Sequence, residues 1–100
     1  MQIQFSKPIF ATESDRDKMA TYLSYILNMG KKQGIPYKPD DDSYFWTVDM
    51  GNDWRVKFFP DNQDTMEIIH RYKNMGAVSA LSRWIAYRTG GKIVGDIFID

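Results

Sequence analysis

A single histidine limits the acid–base chemistry that this sequence can support. His70 is the only histidine, and there is no cysteine. A catalytic triad would have to combine His70 with Ser79 or Ser82 and an aspartate, but no nucleophile-elbow or other catalytic motif supports one. Metal binding through His70 would need carboxylate partners, because no second histidine exists at ligand spacing. We therefore predict no catalytic residues, and an enzyme that uses His70 with an aspartate is kept as an alternative.

Two clusters of aspartates have the oxygen ligands that Mg²⁺ and Ca²⁺ prefer. One is the run Asp40, Asp41 and Asp42, and the other is the segment 61–64, which has an aspartate at each end. Helix–loop–helix calcium sites need alternating ligands and a distant glutamate, and both clusters lack that pattern. Consecutive aspartates in a loop are usually solvated turn residues. The sequence therefore predicts no metal site.

Gly90, Gly91 and Lys92 superficially resemble a phosphate-binding loop. Such loops place their glycines ahead of a helix N-terminus, where backbone N–H groups and the helix dipole bind the anion. Here the glycines follow a predicted helix and precede a predicted strand. We interpret them as the C-terminal cap of that helix and predict no cofactor.

A set of aromatic and basic residues suits binding better than chemistry. Strand alternation places them on one side of a predicted sheet: Phe45, Arg55, Lys57, Phe59, Arg71 and Lys73. Such a surface suits a protein partner, because aromatic residues and arginine anchor interfaces. It also suits stacking of single-stranded bases, although the RNA-recognition consensus is missing from residues 54–60. A third interpretation is that other elements cover this face, or that the lysine and arginine stems shield Phe59.

The composition is typical of one small globular domain. The 100 residues are 43% hydrophobic and 26% charged, and the aromatic content of 15% is high enough to build a core without disulfides. The absence of cysteine fits a reducing compartment, and no apolar run is long enough to span a bilayer. We expect a cytoplasmic protein that is not bound to a membrane.

Charge is balanced in total but unevenly distributed along the chain. The formal net charge is zero, which argues against a general polyanion binder. Residues 40–64 contain seven aspartates and two bases, whereas residues 70–92 contain five bases and no acid. Such asymmetry marks a partner surface in some proteins and is merely two solvated regions in others.

The elements that position these residues begin with a hairpin. Two runs rich in aromatic and β-branched residues flank Gly51 and Asn52, so residues 50–53 are predicted to form a tight turn with Gly51 or Asn52 at positive φ. The predicted inward set along the two strands is Trp46, Val48, Trp54, Val56 and Phe58. Phe45, Thr47, Arg55, Lys57 and Phe59 then point to the other side.

Apolar residues at helical spacing predict two helices. The first covers residues 14–33, or ends earlier at Gly30, with Thr12 or Ser14 as its N-cap and residues 34–36 as a left-handed cap. Its predicted stripe is Met19, Tyr22, Leu23, Ile26 and Leu27. The second covers residues 76–89, with Asn74 as its N-cap. Its predicted core residues are Val78, Leu81, Trp84 and Ile85. The predicted common core comprises Leu23, Ile26, Trp46, Val56, Leu81 and Ile85.

The remaining segments predict strands. Residues 2–6 alternate as a short strand that continues into Ile9 and Phe10, and residues 92–99 form the last strand with a bulge at Gly95. Residues 65–72 are rich in β formers, which favours a third strand of the meander over a helix. The helical alternative would give the split βαβ order of ferredoxin-like domains.

We therefore predict a single α+β domain over residues 1–100. It is a two-layer sandwich of an antiparallel sheet with about four or five strands and two helices on one face. Its order is β-α-β-β-β-α-β, with the fifth element helical in the alternative. We expect a small non-enzymatic accessory protein that binds a protein partner, such as an inhibitor of the phage or mobile-element type. A single-stranded nucleic-acid-binding module is the first alternative.

Overall fold

The computed structural model describes residues 1–30, 35–37, 45–72 and 74–94, with the backbone alone described at residues 35–37 and 45. Two helices and six strands are present among these residues. In chain order they are β1 (Gln2–Gln4), α1 (Glu13–Leu27), β2 (Ile35–Tyr37), β3 (Phe45–Gly51), β4 (Trp54–Phe59), β5 (Asn62–His70), α2 (Met75–Thr89) and β6 (Lys92–Val94). Neither described helix has the length and apolar character needed to cross a membrane.

The strands form one antiparallel sheet in the order β2-β3-β4-β5-β1-β6. The predicted α+β class and the antiparallel sheet with two helices are therefore confirmed. The choice of a strand rather than a helix for residues 65–72 is also confirmed, because β5 continues to His70. The strand beyond the four or five predicted is β2. It pairs Pro36 with Trp46 at the edge of the sheet, where proline is tolerated in a strand.

The core lies between the sheet and both helices. Register places Trp46, Phe58 and Met66 side by side across β3, β4 and β5, and all three are buried. Leu23 of α1 and Ile85 of α2 are fully buried in the same cluster, so both helices pack on this face of the sheet. The opposite side of the sheet is called the outer sheet face below.

Most of the predicted core is confirmed, and two residues predicted to lie on the apolar faces of the helices are exposed. Leu23, Trp46, Val56 and Ile85 are buried, while Ile26 and Leu81 are half-buried against the same cluster. Trp84 is 39% exposed and does not belong to the core. The buried residues of α2 are Val78, Ser82, Ile85 and Ala86, so these side chains face the sheet and Trp84 lies on the exposed side of the helix. Tyr22 of α1 is likewise exposed rather than part of an apolar stripe.

Both helices begin as predicted, and α1 ends earlier than predicted. Thr12 and Asp15 form a capping box at the start of α1, and the Asn74 side chain accepts a hydrogen bond from the backbone N–H of Ala77 at 3.1 Å. Asn28 ends α1 in a left-handed conformation with φ of 52°. Asparagine adopts this conformation more readily than most residues, because its short polar side chain bonds locally.

Two terminal predictions also differ from the structure, and a third lies partly outside the described residues. Ile35 and Pro36 lie in strand β2 and are not a helix cap, while Gly34 lies outside the described residues. Strand β1 ends at Gln4, and residues 9 and 10 form a turn in which Phe10 is nevertheless buried. Strand β6 is described from Lys92 to Val94, and the predicted bulge at Gly95 lies outside the described residues.

The predicted β3–β4 hairpin is confirmed. Gly51 pairs with Trp54, and the two residues between them, Asn52 and Asp53, have φ values of 52° and 68°. Positive φ at both central residues is the property of a type I′ turn, whose twist matches that of the flanking strands. Gly51 itself has a φ of 80°, and a bulge between Asp49 and Gly51 accommodates the turn.

Replacing Gly51 with valine should lower the free energy of unfolding by about 1–3 kcal/mol, because a β-branched residue is strained at positive φ. Among the described residues, a Cβ at this position would meet only the backbone N of Gly30, at an ordinary contact distance of 3.9 Å. The loss should therefore come from the backbone and not from crowding. Gly51→Asn, which tolerates left-handed φ, is the control and should lose much less in chemical denaturation. Equal losses for the two variants would contradict the turn geometry.

Candidate functional site

The outer sheet face is built by side chains that alternate with those of the core. In one row across the sheet, Lys57 of β4 lies between Thr47 of β3 and Glu67 of β5. In the next row, Arg55 lies between Asp49 and Ile69. Both helices lie on the other side, so the described helices do not cover this surface.

The structure brings three of the six predicted binding residues together on β4. Arg55 is exposed, whereas Lys57 and Phe59 are half-buried. The Lys57 ammonium nitrogen lies 5.2 Å from the centre of the Phe59 ring, within the range of a cation–π contact. The lysine side chain therefore partly covers the ring, and part of the Phe59 surface stays accessible.

Arg71 joins this group from the end of β5. Its backbone N–H donates to the carbonyl oxygen of Asp53 at 2.8 Å, which ties the β3–β4 turn to the chain after β5. Its side chain is exposed and, with Arg55, lines a depression of about 180 Å³. Asp49, Gly51, Asn52 and Asp53 complete its lining. For Phe45 the structure describes only the backbone, at the start of β3, and Lys73 lies outside the described residues.

The binding residues predicted from the sequence do not include the acidic and aliphatic residues that share this face. Asp49 lies opposite Arg55 in register, and Glu67 lies opposite Lys57. Ile69 and Val94 are half-buried. Alternation along β5 already placed Glu67, Ile69 and Arg71 on one side, so the signal was present. Which base each acid would face depends on register between strands, and that is not visible in a single strand.

Asp64 contributes a further negative charge beside this face. Its two carboxylate oxygens accept hydrogen bonds from the Thr65 hydroxyl at 2.8 Å and the Gln4 amide at 3.2 Å. These bonds, the one from Thr65 above all, hold the pKa of Asp64 below its usual range. The carboxylate is therefore ionised at neutral pH. The outer sheet face and its border thus carry acidic as well as basic side chains.

His70 lies on the helix side of the sheet, away from the outer sheet face. Its ring centre is 4.7 Å from that of its cross-strand neighbour Trp54, in an edge-to-face arrangement. Its Nδ1 accepts a hydrogen bond from the backbone N–H of Tyr72 at 3.2 Å. Within the described residues no carboxylate hydrogen-bonds to His70, and Ser82 is fully buried with no partner for its hydroxyl. The arrangement around His70 is that of an aromatic cluster.

The candidate carboxylate clusters are only partly described. Asp40, Asp41 and Asp42 lie outside the described residues. In the described part of the chain, no group of three or more histidine, aspartate or glutamate residues is arranged to hold a metal ion.

Fold and surface together define the chain as a two-layer α+β sandwich with an outer sheet face of mixed charge. Comparison with known proteins gives no match for it: no family model fits the sequence, and no curated protein and no solved structure is significantly similar to the chain.

Proposed function

We propose that this chain is a small accessory protein that binds another protein through its outer sheet face. The observation that carries the proposal is the composition of that face. Half-buried Phe59, Ile69 and Val94 lie among charged residues of both signs, and both described helices pack on the opposite side. Protein interfaces likewise combine apolar, aromatic and charged side chains, with aromatic residues and arginine enriched.

The balance of charge favours a protein over a single-stranded nucleic acid. Non-specific nucleic-acid affinity comes from clustered cations that neutralise phosphates. On the outer sheet face Arg55 faces Asp49 and Lys57 faces Glu67, so each of these two bases has an acid as a cross-strand neighbour. A protein partner can present charges complementary to both the acids and the bases of this face. Such complementarity fixes the orientation of the partner and makes binding specific.

The biological setting that we propose is the cytosol, which the absence of cysteine favours. Small, aromatic-rich, cysteine-free domains suit accessory roles such as inhibition, including those of phages and mobile elements. In such a role the chain acts by occupying a partner's surface, and it needs no catalytic residue of its own. His70 packs against Trp54 and is not required for this function.

Substituting Arg55 or Phe59 with alanine should weaken binding by about 2 kcal/mol or more, because buried aromatic and arginine anchors dominate interface energies. The free energy of unfolding should change by about 1 kcal/mol or less, since Arg55 is exposed and Phe59 is half-buried. The test is affinity capture from native cytosol with the wild-type chain and each variant. Calorimetry with the purified partner then gives the affinity.

Lys18→Ala is the matched control, because Lys18 is exposed on α1, on the helix side of the domain. It should retain the partner that Arg55→Ala and Phe59→Ala lose. If all three variants capture the partner equally, the outer sheet face is not the binding site. If the captured species is nucleic acid and its affinity falls steeply with salt, the protein-binding proposal is wrong and the nucleic-acid alternative replaces it.

A further inference from the structure

Helix α2 presents a second surface, on the side of the domain opposite the outer sheet face. Four large side chains lie there on adjacent turns and are called the α2 patch: Arg83, Trp84, Tyr87 and Arg88. Tyr87 is 84% exposed and Trp84 is 39% exposed. Spacings of four residues bring Arg83 next to Tyr87 and Trp84 next to Arg88 on the helix surface.

The patch is basic and has no acid near it in sequence. Helix α2 contains no aspartate or glutamate, although a helix of its length usually has some, and residues 70–92 contain five bases and no acid. The guanidinium carbon of Arg88 lies 5.1 Å from the centre of the Trp84 ring. Among the described residues neither Arg83 nor Arg88 has a carboxylate partner. Both guanidinium groups therefore keep donors for an external acceptor.

We propose that the α2 patch binds an acidic segment of a protein. Carboxylates of that segment pair with Arg83 and Arg88, whose planar guanidinium groups suit bidentate hydrogen bonding. An apolar side chain between these carboxylates packs on the exposed ring of Tyr87. Tryptophan, tyrosine and arginine are the residue types most enriched at interface hot spots, and the patch consists only of these three.

A protein segment fits the patch better than a nucleic acid does. Two arginines can neutralise few phosphates, and affinity for nucleic acid rises with the number neutralised. Arg88 already lies against one face of the Trp84 ring, so that face is not open to a stacked base. The inference is independent of the proposed function, because the patch and the outer sheet face lie on opposite sides of the domain.

The probe is a synthetic dodecapeptide that repeats the unit Glu-Glu-Leu, titrated into the whole isotope-labelled chain at low salt and followed by amide chemical shifts. Shift changes should be largest at residues 83–88, and the affinity should fall as salt is added. Dodecathymidylate is titrated in parallel. Tighter binding of the oligonucleotide than of the peptide at these residues would overturn the proposal, as would peptide-induced shifts that leave α2 unaffected.

Two pairs of variants separate a specific site from general attraction to a basic surface. Tyr87→Ala is compared with Tyr25→Ala, because Tyr25 on α1 is 83% exposed and matches Tyr87 in type and exposure. The double charge reversal R83E/R88E is compared with K7E/K18E, which changes the net charge equally at exposed residues outside α2.

Tyr87→Ala and R83E/R88E should each weaken peptide binding at least about tenfold, while the two control variants bind nearly as the wild type does. Equal losses of peptide affinity within each pair would show that net charge and any exposed tyrosine are sufficient for binding. That result would overturn the proposal. Thermal unfolding of each variant verifies that it is folded before it is titrated. Binding of the outer-face partner should remain unchanged in R83E/R88E, which keeps the outcomes for the two surfaces distinct.

Discussion

Replacing Phe58 with alanine should lower the free energy of unfolding by about 3–5 kcal/mol, a large share of the stability of a small domain. Phe58 is fully buried, and its ring centre lies 4.8 Å from that of Phe10. In register it separates Trp46 of β3 from Met66 of β5, and both of these residues are buried. Truncation leaves a cavity that neighbours on three elements would have to fill. Chemical denaturation monitored by tryptophan fluorescence measures the loss.

The adjacent residue is the control for this prediction. Phe59 lies next to Phe58 on β4 but points to the outer sheet face and is half-buried. Phe59→Ala should cost about 1 kcal/mol or less, because Phe59 is only half-buried and is not part of the buried core cluster. A greater loss for Phe59→Ala than for Phe58→Ala would mean that β4 is shifted by one residue. The outer sheet face would then be core, and the proposed binding surface would fail with it.

The hairpin and the face of each strand were predictable because their causes are local. Alternation with a period of two decides which side of the sheet a residue occupies, and glycine and asparagine decide where the chain can take positive φ. Val48, Val56 and Phe58 are buried, as alternation predicted, and Gly51 and Asn52 both have positive φ. No information about distant parts of the chain was needed for either conclusion.

The phase of α2 was predictable only in part, because hydrophobicity and burial are different quantities. Trp84 was assigned to the core because it is apolar and lies at helical spacing from other apolar residues. A helix that packs on a sheet buries only the residues on the side that faces the sheet. That side is occupied by Ser82, Ile85 and Ala86, where small side chains permit close approach. Trp84 then falls on the exposed side of the helix, where Arg88 packs against it. The α2 patch became visible only once this phase was known.

The charge balance of the outer sheet face could not be predicted, since it depends on register between strands. Arg55, Lys57 and Phe59 were placed correctly on one side by alternation within β4. Their acidic neighbours Asp49 and Glu67 come from two other strands, and a shift of pairing would have given different neighbours. Sequence analysis therefore predicted a basic aromatic stripe, whereas the structure shows a surface of mixed charge.

Gly91 is a further case in which a long-range contact escaped sequence analysis. The pair Gly90 and Gly91 was interpreted as a helix cap, and Gly90 fulfils that role with a φ of 81°. Gly91 has a different reason to be glycine. A Cβ on its backbone would collide with Cγ2 of Ile3 and would lie 3.0 Å from the ring of Phe5. Strand β1 therefore approaches the chain between α2 and β6 too closely for any side chain.

Gly91→Val should lower the free energy of unfolding by about 3 kcal/mol or more, at the upper end of the cost of overpacking, and Gly91→Ala by about 1–3 kcal/mol. Ile3 cannot move aside easily, because it is fully buried in the core cluster and lies opposite Met66 of β5 in register. Gly30→Val is the control, since a Cβ there would meet no atom of the described residues within 4 Å, and it should change stability by no more than about 0.5 kcal/mol.

A double-mutant cycle identifies the contact responsible for the loss. Ile3→Ala alone should cost about 2–5 kcal/mol, because it empties a fully buried site. It also removes Cγ2, the atom that collides with a new Cβ at Gly91. Gly91→Ala should therefore cost less in the Ile3→Ala background than in the wild type, with a coupling energy of about 0.5–3 kcal/mol. Strictly additive losses in urea denaturation would show that the two residues do not touch, and the placement of β1 between β5 and β6 would be wrong.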